Sequence, residues 1–416
     1  MKICIVAQTF APQEEGGAEI VARMSAIELS RRHDVFVLAL GLEGDVAPPG
    51  ETVGADGIRV LRVRWKNSYL PGPRKPAVGR MSKLAWHLRS AWGATSARDL
   101  KQLLSREKVD LVYAHNSARM QPALFDATRA LGIPLCLHLH DYALLCPKAS
   151  MFKAAGNCET PCMECRILTS RVKASDGSGV TAIAVSEALK QRFLDNDVLP
   201  KADWHILPNT YVREQDLPRD FLRRTGPADG SFTFGYVGAL SEEKGIEDLI
   251  TAFLAICGGH DVRLQIAGRG RKDYEDHLKS LTRGAPIEFL GFVKADQVYR
   301  EVDAVVVPSV WNEPQGMILI EAAVYGVPVI GAARGGIPEI VVGERTGWCY
   351  EPDEEGALSS LLVKAARIGK RDWWLQREIE FPGTLTFKGT SEASGYYEKL
   401  NDLLVQAGTV SLSEGT

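Results

Sequence analysis

The stretch that most restricts the fold is Trp311–Gly331, WNEPQGMILIEAAVYGVPVIG. Asn312, Pro314 and Gly316 break regular structure, so Trp311 to Gly316 reads as a loop. From Met317 to Tyr325 the apolar residues and Ala322–Ala323 read as a short helix, followed by a strand over Val327–Ile330. Gly316 therefore stands where a loop becomes a helix. Free N–H groups and the helix dipole make such a place suited to phosphate, with Gly316, Met317 and Ile318 at the contact.

Two acids bracket this start, Glu313 and Glu321, with seven residues between them. Glu321 lies about one turn into the helix, so both carboxylates can face the same crevice. An acid beside a nucleotide site accepts hydrogen bonds from a ribose diol, and a second acid one loop away can take the hydroxyls of another sugar. That is the chemistry of a nucleotide-sugar. The plainer reading is a capped core helix with two solvated acids.

The E-x7-E pattern continuing into E-A-x3-G-x-P-V-I resembles the C-terminal signature of retaining glycosyltransferases of family 4. The resemblance implies an α/β protein of GT-B fold, with two doubly wound Rossmann-like domains facing a central cleft. It implies a donor-binding C-terminal domain, an acceptor-binding N-terminal domain, and a last helix crossing back to the N-terminal domain. It implies no metal or cofactor for catalysis, because cations of the protein serve the diphosphate.

At 416 residues, two domains with separate cores are expected. The domains read as 1–213, with a cysteine-rich insertion at 146–165, and 231–385, joined by a charged, Pro- and Gly-containing linker at 214–230. The crossover helix is expected at 386–408 and a disordered tail over Thr409–Thr416. A net charge of −3 points away from nucleic acid. No apolar run reaches the roughly 18 residues a membrane helix needs. Met1-Lys2 runs straight into an apolar strand, so no signal peptide is expected and the cysteines should be reduced in a cytoplasm.

The first strand, Ile3–Ala7, leads through Gly16-Gly17-Ala18-Glu19 to a helical pattern from Ile20 to Leu29. Paired glycines let backbone amides approach an anion. A Gly-Gly turn is equally a simple turn, but G-G-x-E after this strand is the family's N-terminal loop, which assigns Gly16 and Gly17 to the donor. Val35–Leu40 and Ile58–Val63 are the next strands.

From Gly57 to Arg98 there is no Asp or Glu, against Arg59, Arg62, Arg64, Lys66, Arg74, Lys75, Arg80, Lys83, Arg89 and Arg98. Trp65, Tyr69, Leu70, Trp86 and Trp92 are interleaved, and Met81, Leu84, Ala85, Leu88 and Trp92 share one helical face. Such a tract suits an anionic membrane surface, which would make the protein peripheral at the inner face of the cell membrane. The alternative is a solvated helix packing its stripe on the sheet.

Val109–Ala114 ends in His115, and Leu135–Leu139 ends in His140-Asp141. Carboxyl ends of parallel strands line the ligand crevice. The resemblance places His115 against the transferred sugar, and His140 opens an H-D-Y pattern shared by part of the family. Cys146, Cys158, Cys162 and Cys165 follow with spacing C-x11-C-x3-C-x2-C, which suits a structural zinc site or, with a less standard spacing, an iron–sulfur cluster. Unliganded cysteines are the competing reading. Val180–Val185 is the next strand, with Ser186 as the N-cap of a helix.

Phe232–Val237 opens the second domain and leads to Gly238-Ala239-Leu240-Ser241-Glu242-Glu243-Lys244-Gly245. The resemblance assigns Lys244 to the donor diphosphate. The arginine that relatives carry near position 239 is replaced by Ala239, and Arg269, after the strand Arg263–Ala267, is a candidate substitute. Phe292 and Val293 stand where relatives hold the nucleobase. Gly335-Gly336-Ile337-Pro338-Glu339 forms a second turn cluster near the sugar or diphosphate.

The function these readings imply is transfer of a hexose from a nucleoside diphosphate-sugar to a saccharide or lipid-linked acceptor, with retention, in surface polysaccharide synthesis. Glu313 and Lys244 with His115 and His140 are the expected catalytic groups. A sugar-nucleotide epimerase and a non-catalytic nucleotide-sugar binder remain open. A nicotinamide oxidoreductase would need G-x-G-x-x-G after the first strand, which is absent.

Overall fold

The structure is a computed structural model. It describes residues 1–12, 16–42, 48–69, 79–92, 95–115, 117, 119–153, 156–210, 230–282, 284–343, 346–368 and 392–413, without the side chains of 80, 92, 392–394 and 410–413. The linker reading at 214–230 thus falls almost wholly outside the described residues, as do Leu70, Arg74 and Lys75.

The chain forms two compact units. The first comprises Met1–Met151, Glu159–Asn209 and Ser394–Thr416, and the second Phe152–Cys158 and Thr210–Ala393. The cysteine-rich insertion is therefore divided: its middle belongs to the second unit.

Unit 1 is built on β1 (Lys2–Ala7), β2 (Asp34–Gly41), β3 (Gly50–Val53), β4 (Arg59–Arg64), β5 (Leu111–His115) and β6 (Leu135–Leu139). The insertion supplies the two-residue strands β7 (Phe152–Lys153) and β8 (Gly156–Asn157) to unit 2. Unit 1 then continues with β9 (Val180–Ala184) and β10 (Asp203–Ile206). Its sheet runs β10-β9-β6-β5-β1-β2-β4-β3. Only β3 is antiparallel, and it is exposed throughout. The parallel strands are continuous apolar runs because both faces are covered, as in β2, where DVFVLALG is buried from Phe36 onward. Helices α1 (Gly17–Leu29), α2 (Arg80–Trp92), α3 (Ala97–Glu107), α4 (Gln121–Leu131), α5 (Met163–Lys173) and α6 (Glu187–Leu194) complete it.

Unit 2 carries β11 (Phe232–Val237), β12 (Val262–Ala267), β13 (Ile287–Gly291), β14 (Ala304–Val307), β15 (Val329–Ala332) and β16 (Gly347–Tyr350). They run β13-β12-β11-β14-β15-β16, all parallel. Its helices are α7 (Ile246–Cys257), α8 (Lys272–Leu281), α9 (Ala295–Glu301), α10 (Met317–Val324), α11 (Ile337–Ile340) and α12 (Ala357–Ile368). Each sheet is doubly wound, as expected. Strand order reverses between β1 and β5 in one unit and between β11 and β14 in the other, and ligands bind at such switch points, outside the carboxyl ends of the strands.

The last helix, α13 (Glu392–Ser413), belongs to unit 1. Tyr396, Leu400 and Leu404 recur at helical spacing and are buried against Ile3, Ile5 and Tyr113, among others. The helix runs through Ser413, which corrects the expectation of disorder from Thr409 as far as the described residues extend.

The basic tract is only partly a surface. Trp65 and Trp86 are buried, not surface-facing. Arg59 bonds the Glu107 carboxylate and lies near Glu51, Arg62 is buried with its guanidinium on Thr52 Oγ1 and the Ala11 carbonyl, and Lys66 faces Asp99. Acids from outside the tract thus oppose Arg59 and Lys66, which a local reading of the run does not show. On α2, Met81, Leu84, Ala85 and Leu88 are exposed, beside exposed Lys83 and Arg89.

Candidate active site

In unit 2 the loop after β14 and the loop after β11 meet at the switch point. Val310 N–H and Trp311 N–H both donate to the Glu243 carbonyl, at 3.1 and 3.3 Å. This closeness needs Gly245, which has φ +67 and no room for a side chain: a Cβ there would overlap the Pro308 carbonyl oxygen. Gly335 plays the same part on the other side, where a Cβ would overlap the Glu313 carbonyl oxygen, and Gly336 N–H donates to that oxygen at 2.7 Å. The second turn cluster is thus packed on the backbone of Glu313.

Glu313 is nearly buried, at 8% exposure, yet its carboxylate is well supported. Its Oε2 accepts from Lys244 Nζ at 2.7 Å, Trp311 Nε1 at 2.9 Å and Ser309 Oγ at 3.2 Å. The Lys244 ammonium also lies 4.8 Å from the Trp311 ring centroid. Lys244 and Glu313, assigned by sequence to different parts of a donor, are here an ion pair. Glu321, in the second turn of α10, accepts from the Tyr299 hydroxyl at 2.6 Å. Burial raises its carboxyl pKa, and the Tyr299 bond opposes that shift. Gly316 caps α10 with φ +87, and Met317 and Ile318 follow half-buried.

Ala239 and Arg269 lie on adjoining loops, because Leu240 N–H donates to the Arg269 carbonyl at 2.9 Å. The exposed Arg269 guanidinium lies 5.5 Å from the ring centroid of Phe292, itself 74% exposed, while Val293 packs inward.

In unit 1, parallel register places His115 at the end of β5 opposite Ala7 of β1 and His138 of β6. His138 and His140 lie two apart, so the pleat sends both to one side. His115 Nδ1 and His140 Nε2 share a hydrogen bond of 2.9 Å, and the Tyr113 hydroxyl and His138 Nδ1 share one of 2.7 Å. Burial lowers all three histidine pKa values, His138 to about 3, and their mutual repulsion adds to the shift at His115 and His140. They are neutral imidazoles at pH 7. His115 Nε2 is buried without a hydrogen-bond partner among the described residues. Nitrogens of the three rings lie within 4.8 Å of one another, the one such ligand group among the described residues.

Gly16 caps α1, and its N–H donates to Glu19 Oε2 at 3.1 Å, so the acid of this loop already occupies the helix N-terminus. Nearby Asp141 is buried, which raises its pKa to about 6. Arg119 sits 4.6 Å from the Trp86 ring centroid and donates to the Pro147 carbonyl at 2.9 Å. Burial lowers its pKa to about 10.

Among the cysteines, Cys162 and Cys165 approach to 3.5 Å. A hydrogen bond from Cys165 lowers the Cys146 pKa to about 6 and raises that of Cys165. Cys146, Cys162 and Cys165 belong to unit 1 and Cys158 to unit 2. A cavity of about 640 Å³ opens at the opposite, amino ends of β6 and β9, lined by Arg129, Asp203 and His205, away from this chemistry.

Sequence reasoning missed His138, Arg119, Tyr299 and Ser309. The alternation H-x-H-D at the end of β6 was a legible signal for His138. The other three become neighbours of the sites only through packing.

Residues 16–210 match the glycosyl transferase 4-like domain, and residues 219–371 match glycosyl transferases group 1. An uncharacterised glycosyltransferase of Methanocaldococcus jannaschii is 28% identical over 362 residues, covering 84% of this chain and 85% of the relative. Sucrose-phosphate synthase from Thermosynechococcus elongatus superposes with a TM-score of 0.68 at 17% identity over 100% of both chains. Anabaena HepE in complex with UDP-glucose superposes with a TM-score of 0.57 at 22% identity, over 90% of this chain and 97% of its own.

Proposed function

Since both halves of the chain match glycosyltransferase family models and the fold is GT-B, we propose that it moves a hexose from a nucleoside diphosphate-sugar to a saccharide or lipid-linked acceptor with retention of configuration. The observation that carries this reading is Glu313. Three donors hold one carboxylate oxygen at the switch point of unit 2, which orients the other for sugar hydroxyls.

In this reading the Lys244 ammonium neutralises charge on the departing diphosphate, with the Gly316–Met317 amides and Arg269, whose loop adjoins Ala239. Glu321 receives the ribose diol, while Phe292 and Val293 meet the base. His115 acts as a neutral hydrogen-bonding group toward the transferred sugar, since burial denies it a charge, and His140 fixes its ring through Nδ1. The orphaned Nε2 of His115 supports this, because a buried nitrogen without a partner costs about 1–3 kcal/mol and a hydroxyl would relieve it. Gly16 and Gly17 complete the donor contacts.

Catalysis is proposed to need no divalent metal, so activity should survive EDTA in protein that stays folded; loss that zinc restores while the thermal melt is unchanged would point instead to the three histidines. The four cysteines are proposed to hold a structural zinc, supported by the acidic Cys146 and the Cys162–Cys165 approach. Metal analysis of purified protein would find zinc, and iron with sulfide would assign a cluster instead. The exposed apolar residues of α2 beside Lys83 and Arg89 support contact with an anionic membrane, and a lipid-linked acceptor for surface polysaccharide fits that position.

The test is thermal stabilisation by UDP, GDP, ADP, CMP and NAD without metal. HepE was solved with UDP-glucose, which makes UDP the first to try. One nucleoside diphosphate at about 100 times its Kd should stabilise by about 2.7 kcal/mol, and Lys244→Ala or Glu321→Ala should abolish the shift. A response to NAD alone would sink the donor assignment. Binding with no sugar transfer to any acceptor would favour a non-catalytic binder, the reading that Ala239 keeps open.

A further inference from the structure

The middle of the cysteine-rich insertion pairs with itself as a hairpin, Phe152 opposite Asn157 and Lys153 opposite Gly156, and belongs to unit 2. From this hairpin the Asn157 side chain reaches the loop that precedes Glu313. Asn157 Nδ2 donates to the Val310 carbonyl at 2.8 Å, and Asn157 Oδ1 accepts from Asn312 N–H at 2.7 Å. An inverted amide would set donor against donor and acceptor against acceptor, so the orientation is determined by the partners. One side-chain amide thereby substitutes for the peptide group of a neighbouring strand, with Trp311 held between its two contacts.

Other backbone groups of the loop are bound by the turns after β11 and β15. Glu243 takes the N–H groups of Val310 and Trp311, and Gly336 donates to the Glu313 carbonyl. Those contacts hold one side, and Asn157 holds the other. Between them they set the direction of the Trp311 indole, whose Nε1 donates to Glu313 Oε2 at 2.9 Å.

We propose that Asn157 is a positioning residue of the donor site, clamping residues 310–312 so that Trp311 holds the Glu313 carboxylate. The insertion is then a working part of the donor site and not an ornament of the N-terminal half. The role in catalysis rests on the donor assignment above, whereas the clamp itself does not.

Asn157→Ala, Asn157→Asp and Asn157→Gln test it in the full-length protein. Amide hydrogen exchange across residues 309–316, measured without ligand, should quicken in Asn157→Ala while exchange in β1 and β5 stays unchanged. With a donor in hand, kcat/KM for that donor should fall about 10–100-fold while the acceptor KM holds. Asn157→Gln, which keeps the amide, should recover part of the loss. Asn157→Asp should not, because a carboxylate facing the Val310 carbonyl repels it. Unchanged exchange in residues 309–316 would overturn the clamp. Quickened exchange with unaltered donor kinetics would overturn the positioning role. Quickened exchange in a protein that binds no nucleotide would uphold the clamp and retire the donor assignment, so the two failures are separable.

Discussion

His115 and His138 are buried and His140 is half-buried, and their protonation is coupled to folding. Each has a folded pKa below its unfolded value near 6.5, so between those values the unfolded chain binds more protons. Their contribution to stability should be flat above pH 6.5 and fall as pH drops below it. Asp141 acts in the opposite sense, since its pKa rises to about 6 and the folded chain holds its proton longer. Three histidines outweigh the one acid. The urea midpoint of unit 1 should therefore be lower at pH 5 than at pH 7, and His138→Gln should flatten the difference. A midpoint equal or higher at pH 5 would contradict the burial of these rings. Sequence alone named His115 and His140 from their places at strand ends, but not their neutrality, which depends on burial and on one another.

At the scale of elements, backbone-to-backbone approach at glycines decides where the donor loops lie. Gly245 lets the turn at Glu242–Lys244 meet the loop from Pro308, and Gly335 lets the turn after β15 meet Glu313. Gly245→Ala should cost about 2–3 kcal/mol, the upper part of the ordinary range, and should remove the nucleotide response with it. Gly258→Ala is the control, because Gly258 has φ −74 and open space for a Cβ. It should be neutral or stabilising by about 0.4–1 kcal/mol. Paired thermal melts with and without nucleotide would separate the two. The sequence marked both glycine turns, but which backbone each one admits was not legible. On α2 the spacing left open whether the apolar stripe packs on the sheet or faces out; Met81, Leu84 and Leu88 face out, while Trp86 turns inward.

For the whole molecule, the first unit is finished by the end of the chain. Leu400 and Leu404 of α13 are fully buried with strand residues nearly 400 positions earlier, and His33 bonds Asn401 at 2.8 Å. Leu404→Ala should destabilise unit 1 by about 2–5 kcal/mol, seen as a lower melting transition, while the nucleotide-induced shift of unit 2 persists. Loss of that shift would mean that the donor unit depends on α13 for its own fold. What the sequence by itself determined is the succession of buried strands, the loop-to-helix start at Gly316 and the acids around it, because periodicity and turn chemistry act over a few residues. What only the tertiary structure decided is the company those residues keep: Lys244 on Glu313, Glu107 on Arg59, His138 beside His115 and Asn157 on the loop at Val310. Those pairings cross from about 20 to more than 150 positions and follow from strand order and register, which no local pattern encodes.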